Sequence, residues 1–241
     1  MAAPLAELEL RNICAGYAGT QIVEDISFTL KRGERLGLLG RNGAGKTTTL
    51  ATVMGLAGRI SGQVLADGVD ISRLQPFQRA RLGLGLVPQT RDIFPSLSVE
   101  ENLISGLRDA PRSALEQAWT LFPRLKERRG NLGNQLSGGE QQMLSMARAL
   151  VASPPILLLD EPLEGLAPIV AEELMASVKR LADETGAGCI LVEQHVDVVL
   201  DFATKVIVLE RGRIVFSGTP ADLRAAGDVL ESAIGIRKAA E

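Results

Sequence analysis

Apolar residues recur along this 241-residue chain with two different periods. In "LELRNI" (8–13) and "IVEDISFTL" (22–30) they nearly alternate with polar ones, which predicts antiparallel strands with one wet face. "ERLGLLG" (34–40), "LGLVPQ" (84–89), "ILLLD" (156–160), "GCILVEQ" (188–194) and "KVIVLE" (205–210) are almost continuously apolar, as strands of a buried parallel sheet are. "SGQVLADGVDI" reads as a hairpin turning at Asp67-Gly68, and "VIVLERGRIVFSG" as one turning at Arg211-Gly212. Helices are predicted from Gly45 to about Leu56, over Pro76–Leu82, across Ala167–Asp183, after His195 and in a tail from about Pro220. Between Gln89 and Pro154 no β run appears; "SVEENLISGL", "RSALEQAWTLF" and "SGGEQQMLSMARALVA" all suit helices, so this stretch is expected to be a helical insertion in an α/β chain. There is no internal repeat and no low-complexity linker.

Composition narrows the class. An apolar content of 46% supports a packed interior, and the length allows one large domain or a core with an insertion. Twenty-six basic against 29 acidic residues give a net charge of −3, which lacks the footprint of a nucleic-acid binder, so no nucleic-acid partner is expected. Cys14 and Cys189 match no metal or redox spacing and are expected as reduced core residues. No apolar run approaches the roughly 18 residues a membrane span needs, and "MAAPLAELELRN" lacks the order of a signal peptide. A protein soluble by itself, reaching a membrane only through partners, is the expectation.

Three stretches carry chemistry. "GRNGAGKTT" fits G-x-x-x-x-G-K-[ST] with Gly40, Gly45, Lys46 and Thr47, spanning Arg41, Asn42, Gly43 and Ala44, between a predicted strand and a predicted helix. Its glycines let backbone N–H groups curl round a β-phosphate, Lys46 adds positive charge to the β and γ oxygens, and the Thr47 hydroxyl can ligate Mg²⁺. Thr48 adds a candidate phosphate contact. "PILLLDEP" delivers Asp160 and Glu161 from the end of a buried strand, where α/β proteins bind ligands. Asp160 is assigned to the magnesium shell with Thr47, and Glu161 to orienting or deprotonating the attacking water, worth roughly 10²–10⁴-fold in rate. A helix-start cap before Pro162 is the plainer alternative, but it leaves two acids after so apolar a strand unexplained. "LSGGEQQ" (136–142) holds a capping box, Ser137 with Glu140. That leaves Gly138 and Gly139 to account for: they weaken a helix but bare its first amides, a second ready-made anion site.

With "GRNGAGKTT", "LSGGE", "ILLLDE" and the single histidine of "VEQHV" in that order, the chain resembles the ATPase subunit of an ABC transporter over essentially its whole length. The resemblance implies one ABC ATPase domain (1–241). Its core is of the P-loop NTPase (RecA-like) kind, 1–88 and 155–217, with an N-terminal antiparallel β subdomain. A helical signature subdomain (89–154) is inserted, and a helical tail (218–241) follows. In that family two ATPase subunits pack head to tail, so Ser137, Gly138, Gly139 and Glu140 of one complete the ATP site of the other.

The resemblance also makes Gln89 a contact for magnesium and water, His195 the switch residue at the γ-phosphate and Tyr17 the aromatic stacked on adenine. The plainer alternatives are a strand-end amide, a helix cap and a core tyrosine. Leu163 stands where the family usually has a hydroxyl, and Glu164 adds an acid that looks unpaired. The implied cofactors are ATP and Mg²⁺. The implied partners are a second ATPase subunit, identical or sister, two membrane permease subunits and, indirectly, an extracytoplasmic solute-binding protein. The implied location is the cytoplasmic face of the inner membrane, peripheral.

"VPQTRDIFPSLSVEENL", "LFPRLKERR" and "GLAP" are most similar to the second ATPase of branched-chain amino-acid importers, a group that includes urea and short-amide importers. Phe94, Pro95 and Leu97 then either line a groove for a helix of the membrane subunit or form the core of the insertion. Rival readings are a soluble ABC protein acting on ribosomes or DNA, a nucleotide-binding regulator without catalysis, and a small-molecule kinase. The last gives no reason for "LSGGE".

Overall fold

The computed structural model describes residues 4–229, in two sheets. β1 (Glu7–Tyr17) and β2 (Thr20–Lys31) form an antiparallel pair, as their alternation predicts. β3 (Arg35–Leu39) is buried almost throughout and leads through a tight loop into α1 (Lys46–Met54). β4 (Gly58–Ala66) and β5 (Val69–Asp70) are the hairpin at Asp67-Gly68 and complete a first sheet in the order β2-β1-β4-β5. Its inner face contributes Leu8, Leu10, Ile13, Ile26, Leu30 and Val64 to a core shared with α1.

α2 (Pro76–Arg81) precedes β6 (Leu84–Val87), and four helices follow: α3 (Val99–Gly106), α4 (Leu115–Leu121), α5 (Pro123–Glu127) and α6 (Gly138–Leu150). The helix expected over "RSALEQAWTLF" forms, opened by a 3₁₀ turn over Arg112–Ala114, and it stops at Phe122, whose φ of −129° leaves the helical region. Pro123 is the cause, because a proline ring disfavours helical geometry in the preceding residue and then suits the first turn of a new helix. The stretch 89–154 contributes no strand to either sheet. Asn102, fully buried, donates to the carbonyls of Phe94, Leu97 and Ser98 and accepts from Phe94 N–H at 2.8 Å, fixing the segment that enters α3.

β7 (Ile156–Asp160), α7 (Pro168–Thr185), β8 (Gly188–Val192), α8 (Val196–Phe202), β9 (Lys205–Glu210) and β10 (Arg213–Gly218) finish the second sheet, ordered β10-β9-β3-β8-β7-β6. All but β10 run parallel. Every residue of β7 and β8 is buried, which is why their sequences are unbroken apolar runs. α9 (Pro220–Ala225) and a last turn, α10 (Gly227–Val229), begin the expected tail; the rest of it, to 241, lies outside the described residues. The consequence for function is simple: β3, β8, β7 and β6 are neighbours, and their carboxyl ends open on one crevice.

Candidate nucleotide site

The loop after β3 is built around its glycines. Gly40 (φ 147°) and Gly45 (φ 105°) adopt conformations that side chains disfavour, and a Cβ on Gly45 would stand 2.6 Å from Val23 Cγ1. Among the described residues no backbone acceptor takes the amides of Gly43, Gly45, Lys46, Thr47 or Thr48, so they are free to bind an anion at the N-terminus of α1. Lys46 is buried; its Nζ donates to Gly40 O at 2.9 Å and lies 3.7 Å from Glu161 Oε1. Asn42, Gly43, Gly45, Lys46, Thr47 and Thr48 line a cavity of about 500 Å³, which Ile22, Gln89, Glu161, Glu164 and Gln194 close. Arg41 is exposed and Ala44 buried; neither lines it. Thr49 packs inside, its hydroxyl bonded to Gly45 O at 2.9 Å.

β7 ends on the two acids. Thr47 Oγ1 donates to Asp160 Oδ1 at 3.1 Å, bringing the two residues assigned to the magnesium shell together from positions 113 apart in the chain. Burial pushes the Asp160 carboxyl up to about 6, against the Thr47 hydrogen bond that holds it down, with Glu161 nearby raising it further. A buried acid short of counter-charge beside a hydroxyl is an all-oxygen donor set, and it fits a hard divalent cation such as Mg²⁺. Glu161, also buried, accepts from Gln194 Nε2 at 2.7 Å, and its backbone is left-handed at φ 46°. Asp160 and Glu161 cap nothing: α7 begins eight residues after Asp160, at Pro168.

Gln89 and Glu164 correct one expectation. Glu164 is not unpaired: its Oε2 accepts from Gln89 Nε2 at 2.8 Å, while the same Nε2 lies 3.5 Å from Glu161 Oε2. Leu163 is buried, and its N–H donates to Glu193 Oε1 at 2.8 Å. Burial raises the Glu193 carboxyl above the ordinary carboxylate range, while the amides of Leu163 and Gln194 pull it down. Glu193 and Gln194 were missed in the sequence; their one signal is two polar residues directly after the apolar run of β8.

Other predicted residues lie apart from the cavity. Tyr17 is 44% exposed at the turn between β1 and β2, which excludes a core role, but it does not line the cavity. His195 occupies the N-cap position of α8 without capping it through its side chain. It faces a separate groove of about 850 Å³ between α7 and α8. Ser137 is exposed at the head of α6; Ser137 Oγ accepts from Glu140 N–H at 3.3 Å and Glu140 Oε2 from Ser137 N–H at 2.8 Å, so the capping box is real. The amides of Gly138 and Gly139 keep no backbone acceptor among the described residues, and a Cβ on Gly138 would stand 3.0 Å from the Arg91 guanidinium. Phe94 is 47% exposed under the Arg148 guanidinium, 4.9 Å from the ring centre, so it is a surface residue of the insertion.

Comparison with known proteins agrees with this geometry. Residues 23–164 match the family model described as "ABC transporter". The lipopolysaccharide export system ATP-binding protein LptB of Escherichia coli (strain K12) is 37% identical over 225 residues, 91% of this chain and 93% of that protein. The high-affinity branched-chain amino acid transport ATP-binding protein BraG of Pseudomonas aeruginosa is 38% identical over 232 residues, 95% of this chain and 99% of that one. Among solved structures, the dimeric bacterial ABC transporter cassette MJ0796 superposes with a TM-score of 0.80 at 25% identity, covering 88% of this chain and 98% of that one. The same cassette is also known in a post-hydrolysis state bound to ADP and Pi. With a P-loop fold, the four strand ends and these relatives in agreement, the chain belongs to the ABC transporter family of ATPases.

Proposed function

We propose that this chain is the ATP-hydrolysing subunit of an importer for branched-chain amino acids or a related small polar solute. The observation that carries the ATPase reading is the presence in one chain of two anion-ready helix ends: one beside Asp160 and Glu161, the other exposed at Ser137. A single nucleotide bound inside one copy needs only the first. Paired head to tail with an identical or sister ATPase, each copy lends Ser137, Gly138 and Gly139 to the nucleotide held on the other's Gly40–Thr48 loop, which the dimeric neighbour supports.

In this reading Asp160 and Thr47 hold Mg²⁺, with Gln89 as a further contact; the cation supplies charge neutralisation to the phosphates. Glu161 takes a proton from water as its oxygen bonds to the γ-phosphorus and the bond to ADP breaks. Tyr17 stacks on adenine, and His195 reaches the γ-phosphate when the pair closes. Closure binds ATP better than ADP because the γ-phosphate touches both copies, which is the differential affinity a driven change requires. The helices of 89–154 form the moving signature subdomain, and Phe94, exposed, is a contact for one of two membrane subunits. An extracytoplasmic solute-binding protein acts through those subunits. In this reading attachment is peripheral, on the cytoplasmic face, through the membrane subunits; no helix of the described residues is long and apolar enough to cross a membrane.

The identity to BraG over nearly both full lengths supports import of amino acids, with urea or short amides as neighbouring cargoes. The nearly equal identity to LptB, 37%, favours a second reading, an exporter of lipopolysaccharide. Purifying the chain with its membrane subunits and assaying ATPase in vesicles separates the two. Stimulation by a solute-binding protein loaded with leucine or valine is the expected result; stimulation by lipopolysaccharide alone would overturn the importer reading.

A further inference from the structure

Gln89 stands at an end of the site where its amide has two chemically opposite faces to offer. Its Nε2 lies 2.8 Å from Glu164 Oε2 and 3.5 Å from Glu161 Oε2. Two carboxylate oxygens around one end of an amide fix its orientation, because the carbonyl oxygen would be repelled there while the N–H₂ group is attracted. Gln89 Oε1, with no hydrogen-bond donor among the described residues, is the atom left to the cavity that both Gln89 and Glu164 line.

We propose that Glu164 is a positioning residue for Gln89. It holds the amide nitrogen so that the carbonyl oxygen is presented to the nucleotide's divalent cation. This inference rests on the reading that Gln89 contacts the cation. Glu164 is suited to the task by its place in the chain: its own N–H bonds to Glu161 O at 3.2 Å, in a tight turn that begins on the end of the buried β7. The 163–164 segment is further anchored by Leu163 N–H on the buried Glu193 carboxylate. The arm that reaches for Gln89 is therefore short and tethered at two points, whereas Gln89 itself follows the end of β6 and is exposed. A partner that orients a ligand in this way typically changes metal affinity 10–100-fold when removed, and exposure puts this one near the lower figure.

The test reads binding rather than turnover. The affinity of the non-hydrolysable analogue AMP-PNP is measured by calorimetry on the full chain with Mg²⁺ and again with EDTA, and the ratio of the two gives the gain due to the cation. Glu164→Ala is expected to cut that gain about tenfold. Glu164→Gln, which loses the charge but keeps an acceptor for Gln89 Nε2, is expected to stay within about twofold of the parent. Equal losses in the two variants would mean that the charge at 164 acts on the cation directly and not through an acceptor held by Gln89 Nε2, and would overturn the inference. Gln89→Ala separates the two levels: if it cuts the gain while Glu164→Ala leaves it unchanged, positioning by Glu164 is wrong and the role of Gln89 stands. If Gln89→Ala itself leaves the gain unchanged, Gln89 is no cation contact and both fall.

Discussion

Lys46 Nζ lies 3.7 Å from Glu161 Oε1, and both side chains are almost wholly buried. The cation assigned to the phosphates and the base assigned to water are thus each other's counter-charge before any substrate arrives. Glu161→Gln removes the base and frees Lys46 for the phosphates. Hydrolysis should fall by roughly 10²–10⁴-fold while nucleotide affinity is kept or improved. Phosphate release and calorimetric binding check the two halves; an unchanged rate removes Glu161 from the base role. Lys46→Ala should instead lose nucleotide binding, and it leaves a buried carboxylate without its cation, so its thermal midpoint should drop as well.

Asp160 gives a pH signature. Its carboxyl moves from an ordinary 3.8 to about 6, so the fold holds the proton more tightly than the unfolded chain does. Ionising it therefore costs stability: the cost grows as pH rises from about 4 to about 6 and is complete above that. The span from 3.8 to about 6 corresponds to about 3 kcal/mol at most. Asp160→Asn, which still accepts from Thr47, should be more stable than the parent at pH 8 and indistinguishable from it near pH 4. Urea unfolding without nucleotide or magnesium measures this, and a gain independent of pH would refute it.

Glu193 is predicted to matter through Leu163 N–H. Glu193→Ala strands a buried donor and should cost about 1–3 kcal/mol, whereas Glu193→Gln keeps an acceptor and should cost less than half of that. Denaturant midpoints decide; equal losses would show that packing, not the hydrogen bond, is what Glu193 supplies.

Gly139 separates folding from assembly. A Cβ there meets Val170 Cγ1 at 3.4 Å, an ordinary contact, and alanine favours a helix by up to about 1 kcal/mol. Gly139→Ala should leave stability equal or higher and nucleotide binding by the single chain unchanged, because Gly139 is absent from its own cavity. ATPase activity should fall by an order of magnitude or more if the signature acts on a partner's nucleotide, because the added Cβ stands between that phosphate and the bared amides, as disabling a preorganised donor would. A matching loss of single-chain binding would contradict the two-site reading.

The parallel sheet was legible because β3, β7 and β8 are buried on both faces and must read as unbroken apolar runs. The phosphate loop and the acids after β7 were legible for a related reason: such chemistry has to follow a strand end, and few residue types perform it. The short helix α5 was less so, since the one proline that ends α4 also opens it, and a proline reads first as a stop. Glu164 was misjudged and Glu193 overlooked because their partners, Gln89 and Leu163, lie 75 and 30 positions away, and no local pattern encodes that distance. Tyr17 and His195 lie beside the cavity's neighbourhood rather than in it, so their roles depend on what a nucleotide and a second copy bring.

The left-handed backbone at Glu161 has a last consequence. A non-glycine residue at φ 46° sits in a sparsely populated conformation, and glycine there would relieve strain on the order of 1 kcal/mol. Shape alone would thus choose the smallest residue at the spot assigned to a carboxylate that takes a proton from water. That relief is outweighed, because glycine would leave the buried Lys46 ammonium without its counter-charge and Gln194 Nε2 without its acceptor; a selection for thermal robustness should therefore keep the strained glutamate.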